Sequence, residues 1–382
     1  MILLAIKMLV GDRLKYFGLI AGMTFAAMMI GQQAAIFTGL KSQTGTFIRD
    51  MGFVDLWVMD DQVKFSEDQQ PIPDSALQRI RGIDGVAWAS PLYKGWLRVR
   101  LEDGTRTAAI IIGVDDSTLL GAPANMTSGT ADMLRQDKAI FIDERDASTK
   151  LALRRSGGQP VRLGDRIAIN DNDARIVGTF RGQPSFFWDP IIYTTYNKAI
   201  SFAPHERHSM SFVLLKVRDG VAVREVQGRI AEQTPYIART GAEFEQVTSA
   251  YILKSTGILV NFGIAVGLGL IVGLLVTGQT FFNFTLDNSR YFAALKAMGC
   301  SGARIVGMVF SQVITVSILS FGIGIGIAAI SGAFLRKTDL AFLLEWRIVA
   351  FTAGAMVLVG LTAGALSLIK VLRLEPGVVF KG

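Results

Sequence analysis

Few residues in this chain could do chemistry. His205 and His208 stand three apart in His-Glu-Arg-His, a spacing that lets two imidazoles share a metal if the segment is helical. No other histidine exists and the single cysteine, Cys300, is remote in sequence, so a solvated loop or helix start explains the pair better than a metal site. Asp143, Glu144 and Asp146 are acidic neighbours, and a solvated turn accounts for them better than acid–base catalysis does. The Gly-Ile-Gly-Ile-Gly run at 322–326 lacks the lysine and the strand–helix setting of a phosphate-cradling loop, and no G-x-x-x-x-G-K-[ST] occurs elsewhere. The expectation is a chain that is not an enzyme, holds no metal and binds no cofactor of its own. One cysteine also excludes a disulfide framework.

The elements around these residues are dominated by uncharged segments. Phe17 to Phe37, Ser255 to Leu286, Ile305 to Leu335 and Ile348 to Ile369 contain no charged residue. Each reaches the ~20 residues that cross a ~30 Å hydrocarbon core as a helix. Half of the residues are hydrophobic and only 19% are charged, which suits a protein with both membrane and aqueous parts. Gln32, Gln33 and Thr38 lead to Lys41 with no A-x-A-like site, so the first segment reads as a retained span and not a cleaved signal. The second and third segments would be roughly 47 Å long as helices and must tilt or project. Their glycines (Gly257, Gly263, Gly267, Gly269 and Gly273; Gly322, Gly324 and Gly326) suit close helix packing, with a flexing hinge as the alternative. No charge lies mid-span, so an ion or proton relay has no candidate.

The net charge of +7 reads as topology, since no Lys/Arg-rich run suggests nucleic acid. Lys7, Arg13 and Lys15 outweigh Asp12. Arg290, Lys296 and Arg304 outweigh Asp287. Lys370, Arg373 and Lys381 outweigh Glu375. By the positive-inside rule these three regions are cytoplasmic and Lys41 to Lys254 lies outside. Arg336, Lys337 and Arg347 against Asp339 and Glu345 are the least decisive group.

The outer stretch mixes helix and strand signals. Val54 to Met59, Ala108 to Val114, Ala139 to Ile142 and Ser211 to Val217 read as strands. Val86 to Val99 is strand-rich but broken at Ser90-Pro91 and Gly95. Ile167 to Ile169 and Ala174 to Gly178 form a hairpin about Asn170 to Asp173. Helices are expected from Pro73 to Gly82 and over Val221 to Gln233. Thr240 and Glu243 form a capping box that opens a helix running straight into the second span as a rigid lever. Phe186, Phe187 and Trp188 follow Gly182-Gln183-Pro184 and either touch a partner, substrate or lipid, or pack into their own domain.

The remaining signal lies between the second and third spans. Asn288-Ser-Arg-Tyr-Phe-Ala-Ala-Leu-Lys-Ala-Met-Gly-Cys-Ser-Gly-Ala-Arg-Ile305 opens with good helix formers, and Gly299 suits a left-handed C-cap. Tyr291, Ala294, Leu295 and Met298 make one apolar stripe. It needs the membrane surface, the protein's own spans or a partner to pack against.

This segment resembles the signature of FtsX-like ABC transporter permeases, with its A-x-L-K-A-[IM]-G core. The layout and the tail Arg373-Leu-Glu-Pro-Gly-Val-Val-Phe380 are most similar to the DevC and MacB branch. The fold class is then an α-helical membrane protein with four transmembrane helices in a 1 + 3 arrangement and a large α+β extracytoplasmic domain, a MacB-like periplasmic core. The expected organisation is a cytoplasmic interfacial helix (1–16, unless it merely begins the first span), a first span (17–40), the outer domain (41–250) and a second span with an outer stalk (251–286). A coupling helix (287–304), third span (305–335), short periplasmic loop (336–347), fourth span (348–370) and cytoplasmic tail (371–382) follow. The resemblance implies that Arg290, Tyr291, Phe292, Ala294, Leu295, Lys296, Met298 and Gly299 seat in a separate ABC ATPase, present in two copies, which binds ATP and Mg. It implies a homodimer in the bacterial inner membrane, with N and C termini cytoplasmic, that transmits ATP-driven motion to its periplasmic domain for efflux. A periplasmic adaptor of the membrane-fusion type and an outer-membrane channel are the expected further partners. An FtsX-like signal transmitter acting on a cell-wall enzyme, or a lipoprotein-releasing permease, remains the alternative.

Overall fold

The computed structural model describes residues 2–204, 208–335 and 340–372. His205, Arg336, Lys337, Asp339 and the tail from Arg373 onward lie outside the described residues. The chain divides into two units, Met1–Leu40 with Thr256–Gly382, and Lys41–Ser255.

Chain order begins with α1 (Ile2–Gly11) and α2 (Arg13–Thr44), and the second unit starts within α2. It continues with α3 (Thr46–Asp50), β1 (Leu56–Asp60), α4 (Asp74–Arg81), β2 (Val86–Arg100), β3 (Arg106–Val114), β4 (Met126–Ser128), β5 (Ala139–Asp143) and α5 (Glu144–Ser148). Then come β6 (Arg166–Ile169), β7 (Asn172–Phe180), β8 (Ile191–Thr195), α6 (Tyr196–Phe202), β9 (Phe212–Val217), α7 (Val223–Gln233), β10 (Tyr236–Arg239) and α8 (Gly241–Ser255). The first unit resumes with α9 (Ile258–Asp287), α10 (Ser289–Ala297), α11 (Gly302–Leu335) and α12 (Trp346–Leu372).

The second unit is built on a mixed sheet in the order β10-β1-β9-β2-β3-β8-β5-β7-β4, with β6 pairing β2 and β7. Its organiser is the 15-residue β2. The first half pairs with β9, from Val86 opposite Val217 to Leu92 opposite Phe212. The second half pairs with β3, from Tyr93 opposite Gly113 to Arg100 opposite Arg106. The sequence suggested breaks at Ser90-Pro91 and Gly95, yet the strand runs through both. Pro91 is held opposite Val213. At Gly95 a Cβ would collide with the Gln69 amide, which donates to the Lys94 carbonyl (2.6 Å). The residues that read as strand breakers mark a change of partner, and long-range pairing overrides local propensity.

Alternation along the strands buries both faces. Ile80, Ala199, Phe202, Val226 and Ile230, from α4, α6 and α7, join one core with Val99, Ile111 and Ile140. Trp57, Phe212 and Phe244 form the other, with ring centroids 5.4–5.7 Å apart, and Phe244 fixes α8 to the sheet. The capping box at the start of α8 closes both ways: Thr240 N–H donates to Glu243 Oε2 (2.8 Å) and Glu243 N–H to Thr240 Oγ1 (3.3 Å).

The expected rod from α8 into the second span does not form. α8 ends at Ser255, Gly257 takes φ +65°, and α9 starts anew at Ile258. A left-handed residue cannot continue a right-handed ladder, and glycine adopts that conformation without a steric penalty.

In the first unit α2, α9, α11 and α12 are long and apolar enough to cross a membrane. Small residues set their spacing. A Cβ on Gly324 would lie 2.6 Å from the Ala27 Cβ and 2.8 Å from the Thr24 carbonyl oxygen, so α11 and α2 are in backbone-close contact there. Gly273 meets Ala26 in the same way, whereas Gly263, Gly267, Gly322 and Gly326 face open space within 4 Å.

One charge pair is buried in the second unit. Lys94 Nζ lies 2.8 Å from Glu67 Oε1, with side chains only 3% and 8% exposed. The ammonium also sits 3.7 Å from the centre of the Phe47 ring. Burial pushes the Lys94 pKa below the usual lysine value, and Glu67 opposes that shift. Removing one partner leaves an uncompensated buried charge, a loss of about 3–5 kcal/mol. Thermal melts of the intact protein should therefore show Lys94→Met strongly destabilised and Lys94→Met/Glu67→Leu recovering most of the loss. Equal melting of the single variant and wild type would show that the pair is not stabilising.

Candidate functional site

The short helix α10 is held at both ends by its own sequence. At its start the Asn288 carbonyl accepts from the amides of Tyr291 (3.0 Å) and Phe292 (3.1 Å), while the Asn288 side chain donates back to the Phe284 carbonyl (2.8 Å). At its end Gly299 adopts φ +88°. The Cys300 amide donates to the Leu295 carbonyl (3.0 Å) and the Gly299 amide to the Lys296 carbonyl (3.1 Å). This is the paired bonding of a Schellman cap. A Cβ at Gly299 would meet nothing within 4 Å, so the constraint there is conformational and not one of space.

The two faces of α10 have different roles. Phe292 and Ala293 are each 1% exposed, and Phe292 belongs to a core shared with Leu9, Leu19, Phe284, Ile305 and Val309. Arg290, Tyr291 (64% exposed) and Met298 (75% exposed) point away from that core, and Ala294, Leu295 and Lys296 are half-buried. The stripe from Tyr291 to Met298 therefore presents an apolar surface outward. Phe292, which the resemblance placed among the residues expected to meet an ATPase, is instead an anchor: its ring is enclosed by the unit's own helices and offers no surface.

Neighbouring contacts tie the end of α9, just before α10, to the N-terminal segment. Lys15 Nζ lies 2.9 Å from Asp12 Oδ2 and also pairs with Asp287, the last residue of α9. α1 is a separate helix. Its Ala5 and Leu9 are buried, and the Ala5 carbonyl accepts from Gln312 Nε2 of α11 (2.8 Å). Leu3 and Leu14 are 69% and 85% exposed. Gln312 lies in an apolar run, and nothing local signals that it reaches a carbonyl some three hundred residues away.

The aromatic segment in the second unit divides. Phe187 is half-buried between Trp96 (5.4 Å), Phe186 (5.1 Å) and Phe65 (6.2 Å). Trp188 is 39% exposed and takes φ +57°. Only the last of the three residues presents a large outward surface. Trp96 Nε1 donates to Asp189 Oδ2 (2.9 Å) and steadies the segment.

The acidic neighbours are not a solvated turn. Asp143 is 4% exposed and accepts from the Arg145 and Gly182 amides (2.8 Å each). Asp146 is 7% exposed, lies 3.2 Å from Lys150, and burial raises its pKa. Of the set only Glu144 is solvent-facing. His208 hydrogen-bonds the Ala203 carbonyl (3.1 Å) through Nε2. Among the described residues no group of three or more His, Cys, Asp or Glu side chains is arranged to hold a metal.

Comparison with known proteins adds to this geometry. The family model of the MacB-like periplasmic core domain matches residues 16–233, over half of the chain, and that of the FtsX-like permease C-terminal region matches residues 263–376. Three solved structures are similar to the chain. The periplasmic region of MacB from Actinobacillus actinomycetemcomitans is 11% identical, with 52% of this chain and 94% of that one covered at a TM-score of 0.39. The extracellular domain of the noncanonic ABC-type transporter YknZ from Gram-positive bacteria is 12% identical, with coverage of 49% and 99% and a TM-score of 0.35. A domain of a putative permease from Porphyromonas gingivalis is 18% identical, with coverage of 47% and 78% and a TM-score of 0.31. No curated protein matches the chain.

Anchor and surface can be separated by mutation. Phe292→Ala should cost about 3–5 kcal/mol through the cavity it leaves, whereas Met298→Asp on the exposed face should stay within about 0.5 kcal/mol. Thermal denaturation in detergent checks both, and equal losses would contradict the assignment of faces. Gly299→Ala forces a left-handed alanine at a cost of about 1–2 kcal/mol, so amide exchange at 295–300 should accelerate while the spans stay protected.

Proposed function

This chain belongs to the FtsX/MacB-like family of ABC-transporter permeases, and from that premise we infer that it is the membrane subunit of an export system. It would carry motion from a separate ATPase to the domain at 41–255. Permeases of this family work with ABC ATPase partners and are generally non-catalytic transmembrane components. ATP and Mg belong to that partner in this reading.

The observation that carries the proposal is the outward apolar stripe on a helix capped at both ends. A groove in the ATPase receives Tyr291, Leu295 and Met298, flanked by Arg290 and Lys296. Phe292 and the short turns at Asn288 and Cys300-Ser301 make α10 follow α9 and α11, so a push on the stripe reaches both spans without being absorbed in a loop. The stiffness of the two chain crossings revises the lever expected from sequence. α2 keeps its helical bonding to Thr44, while the crossing after α8 is interrupted at Gly257. We assign the stiff connection to the first span and the pivot to the second.

In the same reading the molecule acts as a homodimer in the bacterial inner membrane. The basic ends Lys7, Arg13, Lys15, Arg290, Lys296 and Arg304 are cytoplasmic, and the sheet domain is periplasmic, where it meets an adaptor leading to an outer-membrane channel. Trp188, with its exposed ring, is the residue of the aromatic segment assigned to outward contact.

Co-purification from native membranes tests the core of this reading. Wild type should bring an ABC ATPase in stoichiometric amount, and Tyr291→Asp/Met298→Asp should lose it while melting at the same temperature. Full retention of the ATPase by that variant would refute the contact. A membrane-fusion adaptor in the same preparation supports export, whereas a cell-wall hydrolase shifts the reading to signal transmission.

A further inference from the structure

The outer face of β3, β2, β6 and β7 carries arginines that the permease reading does not use. Arg98 and Arg100 on β2, Arg106 on β3, Arg166 on β6 and Arg175 on β7 are all exposed. The registers place Arg100 directly opposite Arg106 and Arg166 directly opposite Arg175. Ala168 on β6 stands opposite Arg100, which puts β6 and its arginine on the same face. The intervening Leu97, Val99, Ile167, Ile169, Ala174 and Ile176 are buried on the opposite face, so alternation fixes the arginines outward.

Like charges directly opposite across a ladder repel, and a sheet gains nothing in stability from two such pairs. Little on this face relieves them. Arg100 reaches Asp171 (3.1 Å) and Asp173 is taken by Lys138 (3.5 Å). Among the described residues Arg98, Arg106, Arg166 and Arg175 form no ion pair. Between the arginines Ala108 and Ala168 leave a floor, and the result is a cleft of about 540 Å³ lined by Arg98, Arg100, Arg106 and Asn170, with Asp171 as its one carboxylate.

We propose that this face docks an acidic, extended segment of a partner protein, with its carboxylates on the guanidiniums. Four of the five arginines are unpaired, and the guanidinium fork matches a carboxylate bidentately. Arg98 and Arg100 repeat at about 7 Å along β2, the two-residue period of an extended chain, so alternate Asp or Glu side chains of a docked strand keep step with them. The charge spreads over four strands, a wider footprint than a single phosphate needs. The proposal rests on the sheet domain alone and stands or falls independently of the ATPase contact.

The test uses the full-length protein in phosphatidylcholine nanodiscs and a fluorescein-labelled (Glu-Thr)5 peptide, with (Gln-Thr)5 as comparator. Anisotropy at 50 mM salt should show binding of the acidic peptide only, weakened at least tenfold by Arg98→Ala/Arg106→Ala. An Arg79→Ala/Arg224→Ala control removes the same charge from α4 and α7 and should leave binding within twofold. The Arg98→Ala/Arg106→Ala variant should melt no lower than wild type, since removing Arg106 relieves its repulsion with Arg100. The proposal is overturned if the acidic peptide does not bind or if both double variants weaken binding equally. It is also overturned if 1 mM inorganic phosphate displaces the peptide, which marks a small-anion site. Phosphatidylglycerol vesicles outcompeting the peptide through Arg98 and Arg106 would assign the face to lipid instead.

Discussion

Hydrocarbon offers backbone amides and carbonyls no partner, and that constraint shapes the whole first unit. Chain within it must be helical, so irregular backbone is confined to short stretches between the long helices. Asn288 and Gly299 occupy one of those stretches, and between them they make α10. The same scarcity of partners governs polar side chains within the bundle. Gln312 finds the Ala5 carbonyl, the Thr285 and Ser367 hydroxyls meet at 2.9 Å, and Ser320 reaches the Ile20 carbonyl at 3.3 Å. These bonds join α1, α2, α9, α11 and α12 where dispersion alone would leave the register loose.

The sheet domain answers a different constraint. Water competes for its backbone, so long-range pairing and burial decide where strands run. β2 shows this best, because one continuous strand serves two partners in turn and carries Pro91 and Gly95 within it. The strand also brings Lys94 into the interior and Arg98 and Arg100 to the exterior within seven residues. Period-two alternation would predict that 94, 98 and 100 share a face. The change of partner, and the cover supplied by Phe47 and Glu67 over the first of them, separate their surroundings.

Charge is used in two opposite ways as a result. At Lys94 a single ammonium is desolvated and compensated by Glu67 and an aromatic face, which makes it a structural commitment. At Arg98, Arg100, Arg106, Arg166 and Arg175 the charges stay in water and largely unpaired, which costs less and leaves them free to meet another surface. The exposed stripe of α10 is the apolar counterpart, a surface kept ready on a helix whose ends are already satisfied.

The number and order of the spans, the start of α8 at Thr240 and the left-handed cap at Gly299 were all determined by sequence, because each rests on interactions within about one helical turn or on a run of uncharged residues. The outward surface of α10 was half-legible. The stripe of Tyr291, Ala294, Leu295 and Met298, without Phe292, could be read from the helical period, but Phe292 became an enclosed anchor only once Leu9, Leu19 and Ile305 closed around it. The interruption at Gly257, the unbroken course of β2, the Lys94–Glu67 pair and the gathering of five arginines on one face were decided by tertiary structure alone. Each depends on residues far apart in the chain or on a backbone conformation that glycine permits without requiring, and no local pattern encodes which of the permitted states the packing will select.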